Sequence, residues 1–547
     1  MFRSLTRPWV KLSSKSNYRC LSTANKLNAR VFNNTMSKFH HDPRRSKYRN
    51  ITISMLVIGY VCSGSTIYND RKVKPEELKN QCSNGKIWVV INGKVYDLTD
   101  FINIHPGGPA IIKKYAGKDA SLLFNKIHAK DTIEKMLDPE CYIGELDGEL
   151  PEDEDDPLVK EEKRCAEMRA RRPPLMTVLN LSDFEYVASK VLPANAWAYY
   201  SGGSDDEVTM QNNGFAFSKY FFKPKVLVDV DEVDISTTLL GTKTDAPFYC
   251  SAAASAKLGH PDGELSIARG LFEENIIQMI SSAASYPLDD IVKETSAPKW
   301  YQLYIKPEKS ETMDLVKHCE DIGIKAIFVT VDTALFGRRE KDLRFKLGDP
   351  DEDVESLDME VKSDFILSYE KCAKWEDIHY FKKHCKVPIF IKGVQRVEDV
   401  LLAVENGVDG VVLSNHGGRQ LDFSRPPVDV LAELMPVLRA KGLDKKIDVY
   451  IDGGIRRGSD ILKALCLGAK GVGLGRSFLY ANSAYGENGV VKCCRLLKDE
   501  LRRDMKLLGA KSLDELNHEM IHQYPSVFKP ENMHEPLYLP QFAEAEA

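Results

Sequence analysis

What this 547-residue chain lacks narrows its identity first. Its twelve cysteines form no Cys-x-x-Cys pair and keep no regular spacing, which argues against a disulfide scaffold or a zinc site. The absence of Cys-x-x-Cys-His excludes the usual covalent haem attachment. No Gly-x-Gly-x-x-Gly opens the first β–α unit with an acid about 20 residues later, so a dinucleotide fingerprint is missing. Net charge is only −5, which suggests no nucleic-acid surface. The one apolar run near the amino terminus is marginal for a permanent span, which needs about 20 apolar residues. What remains is a globular composition too long for one ordinary domain, so two or three are expected.

The amino terminus is basic and poor in acids. Residues 1–50 hold twelve Lys or Arg, many hydroxyl residues and a single acid, Asp42, the pattern of a mitochondrial transit peptide. Residues 51–70 follow with the apolar stretch from Ile51 to Cys62, read as a sorting signal that halts at the inner membrane. The mature chain is then expected to begin near residues 69–72, in the intermembrane space, a retained anchor being the alternative.

Residues 72–148 read as a small α+β domain. Apolar strands at 87–91 and 94–98 flank Asn92-Gly93, a strong short hairpin signal. Phe101-Ile102-Asn103-Ile104-His105-Pro106-Gly107-Gly108 follows, and a second histidine stands in Phe124-Asn125-Lys126-Ile127-His128. Two neutral imidazoles from opposite sides saturate a haem iron, leaving a site that moves single electrons. This segment resembles cytochrome b5, which makes His105 and His128 the axial ligands. Residues 149–178 form an acidic hinge and a linker helix: eight acids fall within 145–156, a run that repels itself and stays extended. Asp156-Pro157 offers the helix its start.

From 179 to 521 short apolar runs alternate with helical patterns, after a capping box at Ser182 and Glu185. The runs are 247–251, 276–281, 300–304, 326–332, 388–392, 410–415, 449–452 and 471–475. Eight such strands mean a parallel α/β architecture, most simply a closed (β/α)8 TIM barrel. Active residues of such barrels lie at the carboxyl ends of strands, and reactive side chains do fall there: Ser281, Gln302, Tyr304, Thr330, Asp332, Lys392, Ser414, His416, Asp452 and Arg476. The stretch Leu413-Ser414-Asn415-His416-Gly417-Gly418-Arg419 delivers a base and a cation onto one glycine-softened loop. The glycine-rich ends of the last two strands, Asp452-Gly453-Gly454-Ile455-Arg456 and Gly475-Arg476, suit a phosphate-bearing cofactor.

On these residues the large domain resembles the FMN-dependent L-2-hydroxy-acid dehydrogenase and oxidase family. The resemblance implies His416 as the active-site base and Asp332 as the acid that orients it. It implies Arg419 and Tyr199 as holders of the substrate carboxylate, Tyr304 near the substrate hydroxyl and Arg339 as a second arginine. Lys392 would lie beside the flavin pyrimidine end, where a fixed cation stabilises the reduced anion. Ser251, Ala252, Ala253, Ala254, Ser281, Gln302 and Thr330 would line the flavin ring. Asp452, Gly453, Gly454, Ile455, Arg456, Gly475 and Arg476 would bind its ribityl phosphate.

The family's Ala-Thr-Ala beneath the flavin is Ala252-Ala253-Ala254 here, one hydroxyl fewer. The first of two substrate-pocket positions, leucine in the haem-fused lactate members and aromatic in glycolate oxidase, is Ala283, and Phe336 fills the second. The hinge also lacks a tyrosine that bridges to haem in those members. With the haem domain ahead of the barrel, the resemblance implies that L-lactate, or a larger L-2-hydroxy acid such as mandelate, is oxidised on FMN. Electrons would then pass through haem b to cytochrome c, within a homotetramer. An oxidase using oxygen, or a haem carrier with an inert barrel, is the rival. The long connection after the fourth strand, with its acidic run at 349–353, is expected to be a mobile loop over the site. The Pro-rich tail, 522–547, resembles tails that wrap neighbouring subunits.

Overall fold

A strand buried on both faces is mostly apolar, and the eight strands of the large domain are, with polar side chains such as Gln302, Thr330, Lys392 and Asp452 at or near their carboxyl ends. In the computed structural model, which describes residues 71–105, 109–128, 132–150, 157–346 and 373–525, they close into one parallel barrel. The haem-type domain comes first. Its sheet runs β1 (Lys72–Val73), β4 (Tyr142–Leu146), β3 (Lys94–Asp97), β2 (Trp88–Ile91). Asn92 and Gly93 both take positive φ, 53° and 75°, the geometry of a two-residue hairpin turn. Alternation along β2 sends Trp88 and Val90 into one small core, and Val89 and Ile91 toward the cavity under α1 (Pro109–Lys114) and α2 (Ser121–Ile127).

The linker helix α3 (Pro157–Arg171) is attached rather than free. Arg164 donates to the carbonyls of Lys190 and Leu192 at the end of α4 (Leu181–Val191), and Arg172 donates to Ala484 at 2.7 Å. The extended acidic segment 151–156, including the helix start at Asp156, lies outside the described residues. The expected capping box shifts as well. Asn180, in extended backbone, accepts from the amides of Ser182 and Asp183, and Asp183 reaches back to the amide of Asn180. The helix therefore begins ahead of Ser182, which leaves Ser182 and Glu185 for another partner.

A short strand β5 (Tyr220–Phe222) and a two-stranded ribbon, β6 (Thr237–Leu239) and β7 (Thr242–Thr244), precede the barrel. The barrel strands are β8 (Phe248–Cys250), β9 (Ile277–Ile280), β10 (Lys299–Leu303), β11 (Ile327–Thr330), β12 (Ile389–Val394), β13 (Gly410–Leu413), β14 (Asp448–Asp452) and β15 (Gly471–Leu474), with β15 pairing back onto β8. All eight expected strands are present, within a few residues of the expected limits. Inside, five rings replace the usual branched aliphatics: Tyr249, Trp300, Phe328, Phe390 and Tyr450, with neighbouring centroids 4.9–5.9 Å apart. Gly410 makes room for them, since a Cβ there would meet Phe390 at 2.2 Å. Leu239 of the ribbon packs into the same cluster and closes the floor.

The last strand runs into a helix, Arg476–Leu508, broken at Gly486, and β16 (Ile521–Gln523) pairs antiparallel with β5. The expected loop over the site falls mostly at 347–372, and the rest of the tail at 526–547; both lie outside the described residues, as do residues 1–70. Among the described residues no helix is long and apolar enough to cross a membrane.

Candidate active site and haem cradle

One cavity of about 1820 Å³ runs from the small domain to the mouth of the barrel. At the barrel end, β13 hands its chain to Ser414, whose hydroxyl accepts the amide of His416 at 3.0 Å and Lys392 Nζ at 3.2 Å. His416 takes a left-handed φ of 60°, a conformation that costs free energy outside glycine and that the loop around it enforces. Its Nδ1 lies 3.0 Å from Asp332 Oδ1. Asp332 sits behind the imidazole; burial works against its charge, yet the nearby His416 and Lys392 hold its carboxyl below the usual range. The second oxygen, Oδ2, is buried with no partner.

Arg419 enters from the same loop and is fixed by carbonyls: NH1 donates to Tyr199 O at 2.7 Å and to Gly202 O at 3.0 Å. Its guanidinium lies 5.0 Å from the centre of the Tyr199 ring, and Arg339 lies 6.0 Å from that ring. Burial and the adjacent Arg339 push the Arg419 group down to about 9. An arginine keeps its charge at neutral pH. Asp342, 4.0 Å from Arg339, is the acid that faces these two guanidinia, and their shared excess of positive charge makes a site for an anion. Tyr304 faces Phe336 edge-on, with centroids 6.1 Å apart, and Arg339 lies 5.9 Å from the Phe336 ring.

The deeper part of the cavity is polar and incompletely satisfied. Gln302 donates to Thr330 Oγ1 at 2.9 Å and accepts from the Ser282 amide at 3.2 Å, beside Ser281. Ser251 Oγ and Asp452 Oδ1 are buried without partners. Lys392 Nζ lies 3.4 Å from Asp452 Oδ2; burial disfavours its charge, but Asp452 and Asp332 raise its affinity for the proton. Ala252, Ala253 and Ala254 line this wall, with Ile455, Gly453, Gly454 and Gly475 at the far end. The positive φ of Gly453 and Gly454, 93° and 83°, exposes backbone there, and a Cβ on Gly454 would strike Asn213 O at 2.2 Å. Orphaned buried donors and acceptors around a glycine-lined end fit a flavin mononucleotide.

Two residues depart from their expected surroundings. Arg456 ion-pairs with Glu185 and donates to Ser182 Oγ at 3.0 Å, leaving only Nε buried without a partner. Arg476 donates from all three nitrogens to carbonyls of Tyr200, Gly417 and Gly202, each at 2.9 Å. Both line the cavity, but each is first a clamp between distant segments. Gln420 and Asp422 were given no task by sequence. Gln420 bonds to the 332–337 loop at three points, and Asp422 accepts the amides of Val208 and Thr209. Their partners lie 83 or more residues away in the chain, so no local signal marks them.

At the other end, His105 and His128 face one another with ring centroids 6.1 Å apart. That gap suits a flat group whose metal is bonded at about 2 Å to one nitrogen of each ring. Phe101 and Phe124 flank the histidines, and Val89, Ile91, Leu98 and Ile112 complete an apolar cradle. Burial, with His105 and Lys257 nearby, lowers His128 to about 4, so its imidazole is neutral, as a ligand must be. The residues fit haem b.

Comparison with known proteins agrees with both ends. Residues 188–523 match the FMN-dependent dehydrogenase family, and residues 74–147 match the cytochrome b5-like haem/steroid-binding domain. The chain belongs to the FMN-dependent dehydrogenase family and carries a cytochrome b5-like domain ahead of the barrel; its cofactors are FMN and haem. It is 47% identical to an L-lactate dehydrogenase (cytochrome) of Wickerhamomyces anomalus, over 95% of this chain and 94% of the relative. It is 48% identical to the corresponding enzyme of Saccharomyces cerevisiae, over 83% of this chain and 80% of the relative. Among solved structures it resembles a leucine-to-alanine mutant of flavocytochrome b2 with benzoylformate, at 48% identity and a TM-score of 0.63, covering 68% of this chain and 95% of that one.

Proposed function

We propose that this chain is a cytochrome-linked L-lactate dehydrogenase, which oxidises L-lactate to pyruvate in the barrel and passes the electrons singly through haem b to cytochrome c. The observation that carries the reading is the Asp332–His416 pair at 3.0 Å, beside a carbonyl-fixed Arg419, in a cavity shared with two facing histidines.

Arg419 and Arg339 bind the substrate carboxylate through charge-assisted contacts, with Tyr199 beneath them as a platform. Tyr304 closes the side where the hydroxyl lies. Because Nδ1 of His416 is turned to Asp332, Nε2 is the nitrogen that takes up the proton as the substrate is oxidised. Asp332 then stabilises the imidazolium; a positioned base of this kind contributes roughly 10²–10⁴-fold. Lys392 keeps its charge in a buried position, where it compensates an anion formed next to it. FMN, when bound, accepts the substrate's two electrons, and haem relays them one at a time.

The same reading assigns 72–148 to the haem domain, 149–178 to the linker and 179–521 to the barrel. It places the mature enzyme in the mitochondrial intermembrane space, on the strength of the acid-poor first 50 residues. It also makes the protein a homotetramer, an assembly supported by the exposed apolar ridge Val226, Leu227 and Val228. A second reading has one specific observation behind it. Ala283 and Phe336 line the substrate end, and the alanine leaves space for a longer or aromatic side chain.

Anaerobic stopped-flow with a panel of L-2-hydroxy acids tests the function. Lactate should bleach the flavin and then reduce the haem. A bleached flavin beside persistently oxidised haem would mean an oxygen-using oxidase, and no bleaching with any acid would mean an inert barrel.

A further inference from the structure

The turn 255–258 and the loop 283–286 both line the cavity that joins the two ends, and they form its wall where the small domain meets the barrel. Helix α2, which ends at His128, packs on this turn. On the barrel side the wall continues directly into Ala254 and Ser281. Its two strips come from different barrel units, yet they are stitched together. Ser255 N donates to Ala283 O at 3.2 Å, and Lys257 N donates to Ser285 Oγ at 3.1 Å. Ser255 is itself held in left-handed backbone, φ 58°, with its carbonyl accepting the Tyr200 hydroxyl at 2.7 Å.

At the centre of the stitching is Glu264, from the first turn of the helix Gly263–Glu273. It is 3% exposed, and its Oε1 accepts both Ala256 N, at 3.0 Å, and Ser285 N, at 2.9 Å. Its Oε2 has no partner. A buried carboxyl that is half unsatisfied is costly, and burial pushes its proton affinity up. No step of the lactate chemistry uses it. Outward from the wall, Lys257 lies 5.1 Å from the centre of the Tyr286 ring and close enough to bear on the charge of His128.

We infer that Glu264 is a positioning residue for electron transfer between the cofactors, because it clamps the two strips of the wall that the electron must cross. The inference rests on the proposed function, in which flavin and haem exchange electrons. Each oxidation of the hydroxy acid loads the flavin with two electrons. Two successive transfers would each take one electron to the haem, cytochrome c would reoxidise the haem between them, and the two protons of the oxidation, one held by the flavin and one by His416, would go to water.

Stopped-flow on the holoenzyme separates the two claims in one trace. Flavin bleaching reports the lactate reaction; the lag from bleaching to haem reduction reports the wall. Glu264→Ala should bleach within about twofold of the wild-type rate but reduce haem about tenfold to a hundredfold more slowly, since shifts of order 1 Å have that effect on geometry-dependent steps. Glu264→Gln, which keeps one acceptor oxygen, should restore most of the loss. Amide exchange should rise in Glu264→Ala at Ala256 and Ser285 and not across the barrel. A wild-type lag, or slowing of both steps together, would overturn the inference. Should Glu264→Ala not fold, Ser285→Ala removes one stitch and should lengthen the lag alone; an unchanged lag there is equally fatal.

Discussion

The two ends of the cavity solve different problems with the same residue. In the small domain two histidines face each other across an apolar cradle, and His128 is held neutral by burial. In the barrel a single histidine leans on a buried carboxylate, next to a lysine and two arginines. The first arrangement closes every position on a metal, so it can only exchange electrons. The second leaves Nε2 of His416 open beside an anion site, so it can move a proton. A histidine's role is thus set by what its other nitrogen faces: a cofactor iron in one case, Asp332 in the other.

The sharpest way to break the contrast is to remove the barrel histidine. His416→Gln should slow flavin reduction by lactate about 10⁴-fold while leaving the haem Soret band intact; near-normal bleaching would strip His416 of its role. The converse change, His128→Ala, should abolish the b-type spectrum but leave flavin bleaching near the wild-type rate. Arg419→Lys loses the rigid fork, and kcat/KM for lactate should fall about a hundredfold, mostly through geometry. Ala283→Leu should depress turnover of bulky hydroxy acids relative to lactate by about tenfold, a methylene or two of pocket being worth about 1–3 kcal/mol. An unchanged ratio would refute the wide pocket.

The smallest effect concerns pH. Asp332 has a lowered carboxyl affinity for protons, so its ionised form contributes stability above its unfolded value of about 3.9. That contribution is lost as pH falls through the lower, folded value. Melting curves of wild type and Asp332→Asn should therefore differ at neutral pH and converge in strong acid; a constant gap would show that His416 and Lys392 do not act on this carboxylate electrostatically.

Much of this was legible in the chain because it is local. The barrel strands are short, largely apolar runs, the hairpin is announced by Asn92-Gly93, and His105 stands in a compact motif. His416 and Arg419 share one loop at a strand end, where barrels keep their chemistry. What stayed hidden depends on partners far away in sequence. Arg456 meets Glu185 across 271 residues, and that pairing takes the acid assigned to a capping box. Glu264 looks like an ordinary acid in a first helical turn; only the folded chain brings it under both strips of the wall. The linker helix reads as a tether because its charges dominate, yet Arg164 spends its fork on two carbonyls at the end of α4.

The ring-packed floor has a kinetic corollary. Tyr249, Trp300, Phe328, Phe390 and Tyr450 are fully buried and fill the barrel interior, as a packed barrel core does. A keto acid formed above them has to back out by the doorway its precursor used. Newly formed product and waiting substrate then share one opening, so the departing keto acid and the arriving hydroxy acid have to take turns there.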